Sequence, residues 1–325
     1  MAYTLADYAR LATSPLKAGI VDILRAESPI MDALPFENSD TLDIQILRTK
    51  SLPSIGTRRI NQSFSASKGA TDSITERIVN LGGMIDVDKV LVRAGSVVDQ
   101  RALQTQLFVK AMALKFNDLF INGNPTTNYD SLTGLRYRLI NDLPSTQTVT
   151  AGGIDVSPDS STLSADQVTL IDKIHELLDV CAMKTADFLV MNREMKLRLE
   201  AALRGTGLLD TTQDNYGRRF ETFGSGGPKI LDIGSTDPLD YTQRIIGNTE
   251  TNDGSATTGG TATSIYAVKV GGGEYVNGFQ LYEMDVNDLG LLTDGVTYRT
   301  VIDWPMGIYM VNPFSVARLV GVIAA

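Results

Sequence analysis

Between Arg48 and Lys68 the chain carries five basic side chains, Arg48, Lys50, Arg58, Arg59 and Lys68, and no acidic one. The same stretch is dominated by Ser, Thr, Gly and Asn. Strand-like patterning flanks it on both sides. Leu42, Ile44 and Ile46 alternate with Asp43 and Gln45 before it, and extended character resumes at Ile74 and runs to Val92, with Ile85 and Val87 set against Asp86 and Asp88. Period-two alternation places apolar and polar side chains on opposite faces of a strand. Two strand regions joined through a polar tip make a two-stranded ribbon, and about fifteen residues per arm at about 3.3 Å each would reach roughly 50 Å. Such a ribbon is marginal in water and has bare edges, so it needs a surface to lie on. Of a net charge of -9, removing these five cations leaves -14 for the rest of the chain. A cationic arm on an anionic body suits a second copy of that body, with complementary charge steering the encounter. The five basic residues are therefore the expected intersubunit contacts.

After the ribbon comes the clearest single element. Ser96 is a candidate N-cap with Asp99 at the third helical position, and the helix pattern runs from Val97 to about Phe120, where Asn122-Gly123-Asn124-Pro125 stops it. Twenty-four residues at 1.5 Å give about 36 Å, two to three times the common helix length. Leu103, Leu107, Ala111 and Leu114 form one stripe, with Phe108, Met112, Phe116 and Phe120 beside it. So broad an apolar face predicts packing along most of the helix. Ahead of the ribbon, residues 4–26 read as two helical pieces divided at Pro15 and ended by Ser28-Pro29.

Beyond Asn124 the pattern alternates: helix at 164–180, strand at 187–191, helix at 193–203, then strands near Phe220 and at 230–233, 264–270 and 279–283. This predicts an α+β or α/β domain. Glycine, serine and threonine clusters at 248–264 and 271–273 read as turns or surface loop. Residues 296–322 suggest two or three strands interrupted at Pro305 and Pro313.

Composition narrows the chemistry. One cysteine, Cys181, excludes an internal disulfide and fits a reducing compartment. The only histidine, His175, lies six positions away on the same expected helix, on a different face, so a Cys/His pair is not expected. One His and one Cys supply no zinc site and no Ser/His/Asp triad, and no phosphate-binding glycine loop precedes a Lys-Ser/Thr helix start. Asp86 and Asp88 form a tight acidic pair that a soluble hydrolase could use as acid and base; the simpler reading is a solvated or intersubunit face. No catalytic residue, cofactor or metal is expected. The acidic net charge argues against sequence-independent nucleic-acid binding. No apolar run approaches a membrane span, and residues 1–10 lack a signal-peptide pattern, which places synthesis and residence in a cytoplasm.

A helical N-terminal arm, a ribbon with a basic tip, a long helix, a central α/β region and a β-rich C-terminus resemble, in that order, the major capsid proteins of tailed phages with the Hong Kong 97 type of fold. The text Asp99-Gln100-Arg101-Ala102-Leu103-Gln104-Thr105, running into Ala111-Met112-Ala113-Leu114-Lys115-Phe116 and Phe120-Ile121-Asn122-Gly123, is similar to that family's spine helix and its exit. The resemblance implies an α+β fold with residues 1–40 as N-terminal arm and 41–94 as extended loop. It makes 95–124 with 296–325 a peripheral domain and 125–295 an axial domain. It further implies pentamers and hexamers in an icosahedral shell around double-stranded DNA held without sequence-specific contacts, in a virion assembled in the host cytoplasm. A portal protein and a separate scaffolding protein are the implied partners, and a decoration protein outside is compatible with it. An encapsulin, a nanocompartment shell of the same fold, is the alternative. Some family members crosslink a loop lysine to an asparagine with help from a glutamate; Lys68 and Asn312 are placed for it, but residues 296–325 contain no glutamate, so crosslinking is not expected.

Overall fold

The computed structural model describes residues 24, 27–93, 100–160, 163–182, 185–213, 219–237, 240 and 242–325. The expected helices across 4–23, and the Ser96 and Asp99 cap, lie outside them. In chain order the elements are α1 (Pro29–Ala33), β1 (Phe36–Asn38), β2 (Asp43–Ser51), β3 (Ala70–Arg77), β4 (Val79–Asp88), α2 (Lys89–Arg93), α3 (Gln100–Asn122) and α4 (Leu135–Asn141). Then follow β5 (Thr148–Asp155), α5 (Leu163–Val180), β6 (Phe188–Met191), α6 (Arg193–Thr206), β7 (Leu209–Gln213), β8 (Arg219–Phe223) and β9 (Lys229–Asp232). The chain ends with β10 (Thr263–Val268), β11 (Val276–Gln280), β12 (Asp285–Leu291), β13 (Thr297–Met310) and β14 (Val316–Ile323).

Ser28 and Pro29, expected to end a helix, instead open α1: the Ser28 hydroxyl accepts from the Met31 amide at 3.2 Å, and proline's missing N–H is harmless in a first turn. The ribbon exists but is shorter than expected. β2 pairs antiparallel with β3 from Asp43↔Arg77 to Ser51↔Ala70. Eight or nine residues at 3.3 Å span about 26–30 Å, not 50. The chain leaves the ribbon at Ile78, and β4 joins a five-stranded sheet instead. Its alternation explains why: Leu81, Ile85 and Val87 are buried in the main core, which an isolated ribbon could not provide.

In that sheet β13 is the long central strand. β4 pairs along one side of it, from Asp88↔Thr297 to Val79↔Met306. On the other side β11 and β12 follow one another in line, pairing with 306–310 and 298–303 respectively. Pro305 does not interrupt β13. It falls in the gap between these two neighbours, where no ladder amide is required of it.

The second sheet has seven strands in the order β5-β14-β10-β6-β9-β8-β7. Both its faces are covered. Phe188, Val190, Tyr266 and Val268 point into the core shared with α3, whereas Leu189, Met191, Ile265 and Ala267 point into a second core with α5 and α6. Burial on both faces accounts for the unbroken apolar runs of β6 and β10. The sheets also cut across the partition expected from the resemblance. β14 belongs with β5 and β10, and β11 and β12 belong with β13, because pairing is decided by long-range register rather than by adjacency in sequence.

α3 is 23 residues long, about 34 Å at 1.5 Å per residue. It buries Val109, Met112, Ala113, Phe116 and Phe120. Leu114 is buried, Leu103 is half-buried, and Leu107 and Ala111 are exposed, so the expected 103/107/111 stripe is not the buried face. Phe108 is half-buried over Gly83 of β4, where an added Cβ would meet its ring at 3.0 Å. Asn117, buried in α3, donates to Ile233 O at 3.3 Å, so the helix joins the two sheets by polar as well as apolar contacts.

Candidate assembly surface

The ribbon is clamped at its foot and bare at its tip. Ile46 of β2 is buried against Phe279 and Tyr309, fixing the foot to the five-stranded sheet. Beside it, Glu76 of β3 pairs with Arg138 of α4, both nearly fully buried. Arg138 also donates to Thr133 O at 2.9 Å and Ile308 O at 3.0 Å, so its guanidinium is satisfied on three sides. Arg48 completes the cluster by donating through Nε to Met310 O at 3.1 Å. Burial, reinforced by Arg138 nearby, holds the Arg48 pKa below its ordinary value.

Arg48 is therefore not a tip cation free for a neighbour, as expected from composition; it is spent inside its own subunit. The physical reason is the short ribbon, which brings position 48 over β13. Arg58, Arg59 and Lys68 are exposed on the tip, and the side chain of Lys50 lies outside the described residues. Arg58 donates to Gln62 O at 3.0 Å and stands 5.2 Å from the centroid of the Phe64 ring.

The tip has a second character that composition concealed. Leu52 is 82% exposed, Ile55 93%, Ile60 90% and Phe64 63%. Single exposed apolar residues are ordinary; four large ones within one segment are a feature that interaction surfaces share. The signal was present in the sequence as apolar residues scattered through a polar stretch. Nothing in their spacing distinguishes them from a loop.

Other sequence candidates have structural partners. Asp86 makes a two-pronged ion pair with Arg299 across the β4–β13 ladder at 2.7 and 2.6 Å, and this hydrogen bonding holds its pKa below the usual carboxylate value. Asp88 accepts the Val90 amide at 2.7 Å at the start of α2. An acid–base pair needs one carboxyl that keeps its proton; Asp86 is pushed the other way. Cys181 is buried with its thiol near Ala267 O and Ser315 O, and burial, with Asp187 adding, pushes its pKa up to about 12. His175 is exposed with its ring edge-on to Phe223 at 5.0 Å between centroids, not facing the thiol. Among the described residues no group of three or more His, Cys, Asp or Glu could hold a metal ion, and no helix is long and apolar enough to cross a membrane. Asn312, the acceptor that the family's crosslink would need, uses Oδ1 to cap a short 3-10 turn by accepting from the Phe314 amide at 2.9 Å.

Comparison with known proteins bears on the fold. Residues 16–163 match the family model of major capsid protein GP7. No curated protein matches the sequence. Among solved structures, the holo-SrpI encapsulin complex of Synechococcus elongatus is similar at 14% identity, with a TM-score of 0.61 over 100% of this chain and 98% of that one. A chain from Mycobacterium phage Bobi is similar at 13% identity and a TM-score of 0.56, covering 92% and 91%. A capsid chain of the native GTA particle is similar at 14% identity and 0.54, covering 89% and 88%. The fold is of the Hong Kong 97 type, shared by capsid and encapsulin shells.

Proposed function

We infer that this chain, a major capsid protein of the Hong Kong 97-type fold, builds the icosahedral head of a tailed phage by self-association. The observation that supports this most is the clamped ribbon with an uncovered tip. A subunit that fixes the foot of an arm with a buried ion pair, and leaves apolar and cationic side chains bare at its end, is shaped to engage another copy. Pentamers and hexamers of such subunits close a shell around double-stranded DNA. The shell encloses that DNA without sequence-specific contacts, and the subunit's acidic balance suits a container that does not grip its contents.

The partition that best agrees with the pairing treats 41–78 as the extended loop. It groups β4, α3, β11, β12 and β13 as the peripheral part, and the seven-stranded sheet with α5 and α6 as the axial part. A portal protein and a separate scaffolding protein are the partners this reading adds, with an optional decoration protein outside and assembly in the host cytoplasm. The subunit is read as a structural protein without catalysis, since the residues capable of acid–base or thiol chemistry have structural work.

Likeness to the encapsulin over nearly both whole chains keeps a second reading, a nanocompartment shell around protein cargo. The GP7 match favours the phage head. Particles recovered from the native host decide between them: packaged DNA supports the head, and a protein cargo supports the compartment. For the tip, the double variant Arg58→Glu with Arg59→Glu is expected to abolish ordered particles while leaving the subunit folded. Normal particles from that variant would sink the assigned role of these cations.

A further inference from the structure

The β7–β8 hairpin is tied to the rest of the seven-stranded sheet mainly at its base. β7 is the last strand of that sheet, and β8 pairs with β9 at one position, Thr222↔Lys229. Farther along, β7 and β8 pair only with each other, as far as Gln213↔Arg219, and four of the five β7 residues are exposed. On one face of β8, Lys229 stands over Phe220 with Nζ 5.0 Å from the ring centroid. On the other face, Phe223 and its partner Leu209 pack into the core beneath α6, and Glu221 meets α6 itself. Beyond these base residues, the described attachment on the α6 side is charge.

Those charges are unevenly matched. Glu200 of α6 is 7% exposed and shares a hydrogen bond with the Glu221 carboxyl. Two carboxyl groups can do so only while one keeps its proton. Lys196 Nζ is 3.1 Å from Glu221 but 3.7 Å from Glu200, and the second cation of Glu200, Arg204, stands 3.5 Å away with 66% of its side chain exposed. Glu221 thus has a cation at hydrogen-bonding distance, whereas the buried Glu200 has two at the margin. Burial, joined by the Glu221 hydrogen bond, raises the Glu200 pKa above the ordinary carboxylate value; the same bond, joined by Lys196, lowers that of Glu221. Other charged groups on the surrounding elements are Arg219, exposed on the same face of β8, and Asp210 and Lys229, on the opposite face. Asp232 of β9 accepts the Gly234 amide at 2.9 Å, and His175 of α5 is edge-on to Phe223 at 5.0 Å between centroids.

We propose that Glu200 and Glu221 form a proton-dependent latch: sharing one proton they hold the β7–β8 hairpin against α6, and when both are ionised they repel and the hairpin loosens. The latch lies within one subunit, so it does not depend on the shell reading. Glu200, whose pKa is raised, stabilises the closed hairpin fully below the ordinary value of 4.5 and loses that contribution as pH rises through its own value. Glu221, whose pKa is lowered, contributes above 4.5 and loses it as pH falls through its own value. The grip is therefore firmest near 4.5 and slackens towards alkaline pH. There Lys196 still holds Glu221, but the distant cations do not offset the buried charge on Glu200.

Hydrogen exchange of the full chain in one assembly state, read by mass spectrometry at about pH 5 and about pH 8 and corrected for intrinsic rates, tests the latch. Segments 209–213 and 219–223 should be at least about threefold less protected at the higher pH, while β10, buried in the same sheet, should not change. Glu200→Gln keeps a side chain that can donate to Glu221 and removes the titration. Its hairpin should be equally protected at both pH values, and better protected than the unaltered hairpin at the higher one. Weaker protection at both pH values is what loss of a merely structural contact gives, and it overturns the latch. Glu221→Gln removes the same repulsion from the other partner and should flatten the response likewise, which keeps the test decisive if the first variant does not fold. His175 remains in both variants and histidine can titrate in this range, so a pH response that survives them belongs elsewhere and overturns the latch. An unaltered hairpin equally protected at both pH values overturns it as well.

Discussion

Glu76 and Arg138 lie 62 positions apart and meet in a buried ion pair at the foot of the ribbon. Removing one member of such a pair strands the other charge in the interior, which costs about 3–5 kcal/mol. Arg138→Met is therefore expected to lower the unfolding free energy by about that amount and to speed amide exchange across β2 and β3. Unchanged denaturation midpoints would mean that the ribbon is held by apolar contacts alone. Neither residue is legible as a partner in the sequence, because no spacing rule links a strand glutamate to an arginine on a helix beyond the spine. Arg48 shows the same blindness from the other direction: counted as a tip cation, it is claimed by Met310 O once the ribbon is folded. Cys181 makes a pH-dependent prediction. Its folded pKa, about 12, lies above the ordinary thiol value of 9.0, so its contribution to stability is complete below pH 9 and fades as pH rises towards 12. At pH 8 the native thiol should resist a thiol-exchange reagent that labels the unfolded chain within minutes.

For single elements, the long helix was legible in length and exit but not in orientation. Its apolar residues cover so wide an arc that two adjacent stripes fit the periodicity, and only the positions of β4 and β13 decide between them. The structure buries Phe116 completely and leaves Leu107 half exposed. Phe116→Ala should cost about 3–5 kcal/mol of subunit stability, whereas Leu107→Gln should stay within about 0.5 kcal/mol. Equal losses in chemical denaturation would mean that Leu107 packs in the core as Phe116 does. Gly83 sets the close approach of helix and sheet. Gly83→Val drives a side chain into Phe108 and should destabilise by about 1–3 kcal/mol through overpacking. The ribbon was likewise half legible: alternation reveals strands on both sides of the tip but is silent on where an arm stops being ribbon and becomes sheet. That boundary lies at Ile78, where the next buried positions belong to the main core.

In the whole molecule, the order of ribbon, long helix, α/β region and β-rich end could be read directly, because each element has its own local pattern. The allocation of strands to sheets could not. β14 crosses to the seven-stranded sheet and β11 and β12 cross to the five-stranded one, choices made by register between segments far apart in sequence. The absence of local bias also hides the apolar side of the tip: Leu52, Ile55, Ile60 and Phe64 become a surface only in the folded subunit, where all four are exposed. Self-association is the claim on which the functional account stands, and electron microscopy of the purified, negatively stained protein tests it most directly. The account predicts closed polyhedral shells, or, if the scaffolding partner is required for accuracy, curved sheets and misshapen shells built of pentamers and hexamers. A field of monomers or small oligomers, unchanged at high protein concentration, would contradict it.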